Sequence, residues 1–133
     1  MSLGDEILGI LKTIRDDIQA YAENKKYLLI AYDTEPDVIP RFPALAYYVA
    51  SIAQTPTGLS FGHSYEFSAN IIYYNKLPLS AEPAQPDAAV SDLINYFVSK
   101  GYEIASVSME DISLGSALLR RAEISIKLSK FIK

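Results

Sequence analysis

The first twenty-two residues have hydrophobic side chains every three or four positions. This spacing puts them on one face of an α-helix, and Asp5 and Glu6 in the first turn favour its amino end. We predict an amphipathic helix from Ser2 or Gly4 to Ala22 whose apolar face packs on a sheet or on a neighbouring subunit. The residues of this stripe are Ile7, Leu11, Ile14, Ile18 and Tyr21.

A second helix is predicted from about Pro86 to Lys100. Proline suits the first position of a helix because its missing N–H needs no partner there, and Gly101 suits the position just after the end. The predicted buried stripe consists of Val90, Leu93, Ile94, Phe97 and Val98.

The remaining apolar segments are β-rich and separated by turn-forming residues, and two of them alternate clearly between apolar and polar positions. In the third strand the odd-numbered residues from Tyr65 to Tyr73 share one face, and in the last strand the even-numbered residues from Ala122 to Leu128 do so. Loops are expected at Gln54–Gly62 and Lys76–Ala84, and a turn at Glu110–Ser116. The five predicted strands are Tyr27–Asp33, Ala44–Ile52, Ser64–Asn75, Tyr102–Met109 and Leu118–Lys130.

The order of elements is therefore α-β-β-β-α-β-β, which predicts an α+β fold. Short links favour a mainly antiparallel (mixed) five-stranded sheet with two helices, in one domain over residues 1–133. The last strand would span about 40 Å, more than the roughly 35 Å diameter expected for a chain of this length. Either bulges break the long strands or part of the sheet projects, and a projecting sheet has unpaired edges that favour pairing with another chain.

Composition narrows the classes of function. The chain has 12 basic and 16 acidic residues, a net charge of −4, no cysteine and one histidine. The absence of cysteine excludes disulfides and thiolate metal sites, and the acidic balance argues against nucleic-acid binding. Without a long apolar run or a signal-peptide pattern, we expect a soluble intracellular protein that does not bind membranes.

Few residues suggest chemistry. His63 with Ser64 and Glu66 could form part of a hydrolase or isomerase site, but nothing fixes their geometry, and we expect an ordinary loop histidine. The chain contains neither a phosphate-binding glycine loop nor a GxSxG motif. We therefore predict no enzyme activity, no catalytic residue and no cofactor.

Acidic residues cluster at two places. Asp33, Glu35 and Asp37 could bind Ca²⁺ or Mg²⁺, but the interposed Pro36 and the lack of glycine are unlike a calcium loop. Turn formation is the expected role. The pair Glu110–Asp111 is interpreted in the same way, so no metal site is predicted.

Ten tyrosines stand out in a chain of this size. Because neighbouring residues of a strand point to opposite faces, each of the pairs Tyr47–Tyr48 and Tyr73–Tyr74 places one ring on each side of the sheet. Sheet packing, a subunit interface and a ligand all stay open as roles for these rings. The candidate interface residues are Tyr48, Tyr74, Arg121, Glu123 and Lys127.

Five segments carry a likeness to a known family: Ile7–Tyr21, Phe42–Leu45, Tyr65–Tyr74, Asp87–Gly101 and Arg121–Leu128. In this order they resemble the tail terminator proteins of long-tailed bacteriophages, or related head–tail joining and injection-machine components. The resemblance implies a non-enzymatic assembly protein, located in the cytoplasm of the host cell or in the virion. It would form a homo-oligomeric ring, often a hexamer, that caps the tail tube and meets the head connector.

An alternative from another class is a small-ligand or peptide-binding module of a bacterial cytoplasmic protein. Its apolar pocket would lie between the helices and the sheet. The facing of the predicted strands suggests Tyr32, Tyr47, Phe67 and Tyr73 as its lining.

Overall fold

A computed structural model describes residues 2–32, 34–55, 63–77 and 88–132 of the chain. Two helices and five strands occur in these ranges, in the predicted order. Their bounds are α1 Leu3–Lys25, β1 Leu28–Ala31, β2 Ala44–Thr55, β3 His63–Lys76, α2 Ala88–Ser99, β4 Glu103–Leu114 and β5 Ala117–Ile132.

The strands form one mixed sheet in the order β1-β2-β3-β5-β4. Only the β1–β2 pair is parallel among these strands, and the other three pairs are antiparallel. The predicted α+β class with a mainly antiparallel sheet is thus confirmed. Two hairpins, β2–β3 and β4–β5, meet side by side along β3 and β5.

Both helices pack on one face of the sheet. The Ser2 side chain begins α1 by accepting a hydrogen bond from the Asp5 N–H at 3.2 Å, which satisfies a donor that lacks an intrahelical partner. Ile14, Ile18 and Tyr21 are buried against the sheet. The odd residues of β3 from Tyr65 to Tyr73 and the even residues of β5 from Ala122 to Leu128 all belong to this core, as their alternation predicts.

The opposite face of the sheet is covered at one end by the segment that links β1 to β2. Ile39 of this segment is buried, and Phe42 packs beside it. Together they cover a second, smaller core. Its sheet residues are Ala44, Ala46, Ile72, Tyr74 and Leu119.

The predicted turn at Glu110–Ser116 is wrong. β4 continues to Leu114, and the turn is reduced to Gly115 and Ser116. The acidic residues stay within the strand because Arg121 and Arg120 of β5 lie opposite Glu110 and Asp111 and pair with them.

Two further boundaries and one side chain differ from expectation. Gln54 and Thr55 belong to β2, whereas the rest of the predicted Gln54–Gly62 loop and the predicted helix start at Pro86 lie outside the described residues. Helix α1 extends to Lys25. Val98, predicted to be buried, is 53% exposed on α2.

The two longest strands, β3 and β5, pair with each other without a break. β3 and β5 pair along all 14 residues of β3 without a register shift, a ladder of roughly 46 Å at ~3.3 Å per residue. Register shifts occur instead in the neighbouring pairs, between Val49 and Ser51 of β2 and between Ile104 and Ser106 of β4.

Candidate interaction surface

A buried arginine organises the sheet face away from the helices. Arg121 is 9% exposed, and its guanidinium lies 2.9 Å from Glu35 Oε1, 2.9 Å from Glu123 Oε1 and 3.4 Å from Glu110 Oε1. Glu35 belongs to the β1–β2 segment, Glu110 to β4 and Glu123 to β5. One side chain therefore connects the edge strand, its neighbour and the covering segment.

The surroundings of Arg121 favour the charged form of its guanidinium. Burial opposes the charge of Arg121, but hydrogen bonds to Glu35 and Glu123 outweigh it and raise the pKa of the guanidinium. Tyr74 donates a hydrogen bond to Glu35 at 2.9 Å. Burial, followed by this bond, raises the pKa of Tyr74.

A chain of polar side chains continues from this cluster along the same face. Asn70 Nδ2 donates to the Tyr48 hydroxyl at 2.6 Å and to Glu123 Oε2 at 3.0 Å, and the Ser125 hydroxyl donates to Asn70 Oδ1 at 2.7 Å. Tyr32 stacks on Tyr48 with ring centroids 5.3 Å apart. These side chains already form hydrogen bonds with one another. The network therefore holds the β1–β2 segment and the neighbouring strands in position.

The five predicted interface residues lie on this one face, in two settings. Tyr74 and Arg121 are buried within the protomer under the covering segment, so they are not accessible to a second subunit while that segment stays in place. Tyr48, Glu123 and Lys127 are partly exposed. Lys127 lies farther along the sheet and pairs with Glu66 at 3.2 Å.

The two described residues of the acidic cluster, Glu35 and Asp37, have different surroundings. Glu35 turns toward Arg121, whereas Asp37 lines a separate groove with Val38 and Phe42, and Asp33 lies outside the described residues. Within the described ranges, no group of three or more acidic or histidine side chains is arranged to hold a metal ion. The hypothesis on His63 concerns a side chain outside the described part of the structure.

The four aromatic residues proposed for a ligand pocket do not share one face of the sheet. Tyr32 packs on the face away from the helices. Phe67 and Tyr73 are each 1% exposed inside the helix-side core, and Tyr47 lies at its border.

At both margins of the sheet, strand edges have no neighbouring strand among the described residues. β1 pairs with β2 only at Ala44–Tyr47, so in the described part of the chain the outer edge of residues 48–55 has no neighbouring strand. On the other side β4 pairs with β5 alone among the described strands. No described strand therefore borders part of β2 or any of the outer edge of β4, and we call these two edges the open margins.

Apolar side chains are exposed beside both open margins. Val49 and Ile52 on β2 are 41% and 39% exposed, and Val107 on β4 is 42% exposed. Their register partners belong to the helix-side core, so all three lie on the face that carries the helices. The sequence analysis missed these residues because it predicts no strand order, and only the observed order shows that β1 is the short neighbour of β2.

A shallow groove runs between α1 and β2 next to this margin. It has a volume of about 280 Å³ and is lined by Leu8, Leu11, Lys12, Arg15, Tyr47 and Val49. The β2 margin thus has apolar residues together with two basic side chains from α1.

No family model matches this chain, and no curated protein matches its sequence. In the described residues no helix has the length and apolar character needed to cross a membrane.

Proposed function

We propose that this protein is a structural assembly component that forms a homo-oligomeric ring, as its resemblance to phage tail terminators implies. The observation that carries the proposal is the pair of open margins on one long sheet. Strand edges with free N–H and C=O groups pair readily with another chain unless they are protected, and here exposed valine and isoleucine side chains accompany them.

The polar chemistry of the described residues supports an assembly role rather than catalysis. Arg121 and its three carboxylate partners are bound to one another, and this network fixes a loop over the sheet. In a ring, the partly exposed Tyr48, Glu123 and Lys127 would be available for contacts with the tail tube or head connector. The protein would then act in the host cytoplasm or in the virion.

The proposal is tested by native mass. Sedimentation velocity and native mass spectrometry at micromolar concentration should give a particle whose mass is an integer multiple of the 14.7 kDa protomer, and negative-stain microscopy should show a central opening. A 14.7 kDa particle at every concentration, up to several hundred micromolar, contradicts the ring. An assembled particle without an opening would support association but contradict a ring.

A further inference from the structure

We infer that successive subunits join head to tail, with β4 of one copy adding to the outer edge of β2 in the next copy, along residues 48–55, which no described strand borders. This inference rests on the proposed homo-oligomer and specifies the two surfaces that make it. The contact would join the two sheets into one.

The two margins differ in charge, which favours contact between unlike edges. β4 carries Glu103, Glu110 and Asp111 and no basic residue. Residues 48–55 are uncharged, and Lys12 and Arg15 line the groove beside them. Arg121 and Arg120 of β5 partly balance Glu110 and Asp111, but a contact between two β4 strands would still bring the acids of both copies to one seam, where like charges that face each other are destabilising.

Strand directions make the head-to-tail contact compatible with a closed ring. β2 and β5 run in the same direction and β4 runs opposite to both, because each neighbouring pair from β2 to β4 is antiparallel. If all copies point the same way along their strands, β4 meets the next β2 as an antiparallel neighbour. Rotation about an axis along the strands preserves this arrangement and keeps the helices of every copy on the same side.

The apolar residues at the two margins fit the same arrangement. Val49, Ile52 and Val107 are on the helix face of their strands, so the joined sheet would place them together on that face. Cross-strand pairs of β-branched residues stabilise a sheet. When two strand edges bury each other, their backbone N–H and C=O groups need hydrogen-bond partners. The new β4–β2 ladder would provide these partners.

A pair of edge variants with matched controls tests the contact. Val49→Asp places a charge in the apolar helix-face contact with Val107 of the next subunit, where an unpaired charge is costly, and Val107→Lys places a base where it meets Lys12 and Arg15. Both positions are about two-fifths exposed, so the protomer should still fold, as circular dichroism would show. Val38→Asp and Val38→Lys are the controls, because Val38 is 77% exposed in the β1–β2 segment, outside both margins.

At a concentration where the wild type is assembled, we expect each edge variant alone to be monomeric, with association weakened at least about tenfold, which is ~1.4 kcal/mol. Both controls should keep the wild-type mass. Mixing the two edge variants, one of them isotope-labelled, should restore particles that contain both. The reason is that β4 of the Val49→Asp copy and β2 of the Val107→Lys copy remain intact.

Several results would overturn this inference. One is an edge variant that stays a dimer alone, which indicates a contact between like edges; another is a mixture that stays monomeric. Unchanged mass in both edge variants, with an assembled wild type, refutes this contact but leaves the ring proposal standing, whereas a monomeric wild type refutes the ring itself.

Hydrogen exchange of the wild type is an independent readout. Amides in 48–55 and 103–114 should lose protection together on dilution, and protection that does not depend on concentration contradicts the contact.

Discussion

Arg121 shows how one side chain can hold elements that are distant along the chain. Its partners Glu35, Glu110 and Glu123 come from a connecting segment and two strands. Each carboxylate would be left beside other acids if the guanidinium were absent. Removing one partner of a buried ion pair is far more damaging than removing an exposed one.

We therefore expect Arg121→Met to lower the free energy of unfolding by about 3–5 kcal/mol, measured by urea denaturation. Lys127→Met is the matched control. Its pair with Glu66 is more than one-third exposed on both sides, and such surface pairs contribute at most ~1 kcal/mol. Equal losses in the two variants would contradict the central role of Arg121.

Because of Tyr74, the stability contributed by this network depends on pH in the alkaline range. Its pKa is raised in the folded state, first by burial and then by Glu35, so its contribution is complete below the unfolded value of about 10. Above that pH the phenol ionises more readily in the unfolded chain, and stability is lost as pH rises toward the folded pKa.

Tyr74→Phe should consequently lower the free energy of unfolding by about 1–2 kcal/mol near neutral pH, because a hydrogen bond to a carboxylate is lost. The deficit relative to wild type should shrink as pH rises above about 10, since phenylalanine does not ionise. Denaturation curves from pH 7 to alkaline pH check this, and a deficit that does not change with pH would count against it.

At the scale of the elements, two glycines differ in whether their backbone conformation requires glycine. Gly115 has a φ of +61° in the β4–β5 turn, where a side chain is strained. Gly9 lies within α1, and a Cβ added there would meet no atom within 4 Å. The turn needs its glycine, whereas the helix does not.

Gly115→Ala should therefore destabilise the protein by about 1–2 kcal/mol. Gly9→Ala should stabilise it by about 0.5–1 kcal/mol, because alanine has the higher helix propensity. Thermal and urea unfolding of the two variants should move in opposite directions. If both variants change stability in the same direction, the effect expected for one of the two glycine conformations is contradicted.

Sequence patterns predicted the elements whose signal is local. The alternation from Ala122 to Leu128 and the helical spacing of α1 each need only neighbouring residues, and both predicted faces are buried. The β4–β5 turn was predicted too long because Glu110 and Asp111 resemble turn residues until their arginine partners are known. Glu35 and Arg121 meet across most of the chain, and no periodicity encodes such a pair.

For the whole molecule, assembly should appear as a link between concentration and stability. Association that requires the folded protomer stabilises it by mass action. We expect the Tm of the wild type to rise over a hundredfold range of protein concentration, and that of Val49→Asp to stay constant. Differential scanning fluorimetry measures both, and a concentration-independent wild-type Tm would contradict assembly from folded protomers.

The seam between the two hairpins has a consequence for how the chain folds. β3 and β5 join residues such as Lys76 with Leu119 and His63 with Ile132, which are far apart along the chain, whereas each hairpin closes locally. Nonlocal pairing requires a long loop to close before any contact compensates for the lost entropy, and this slows folding. We expect the two hairpins to form early and their docking to limit the rate, so substitutions along the seam should slow refolding more than those on the outer strands.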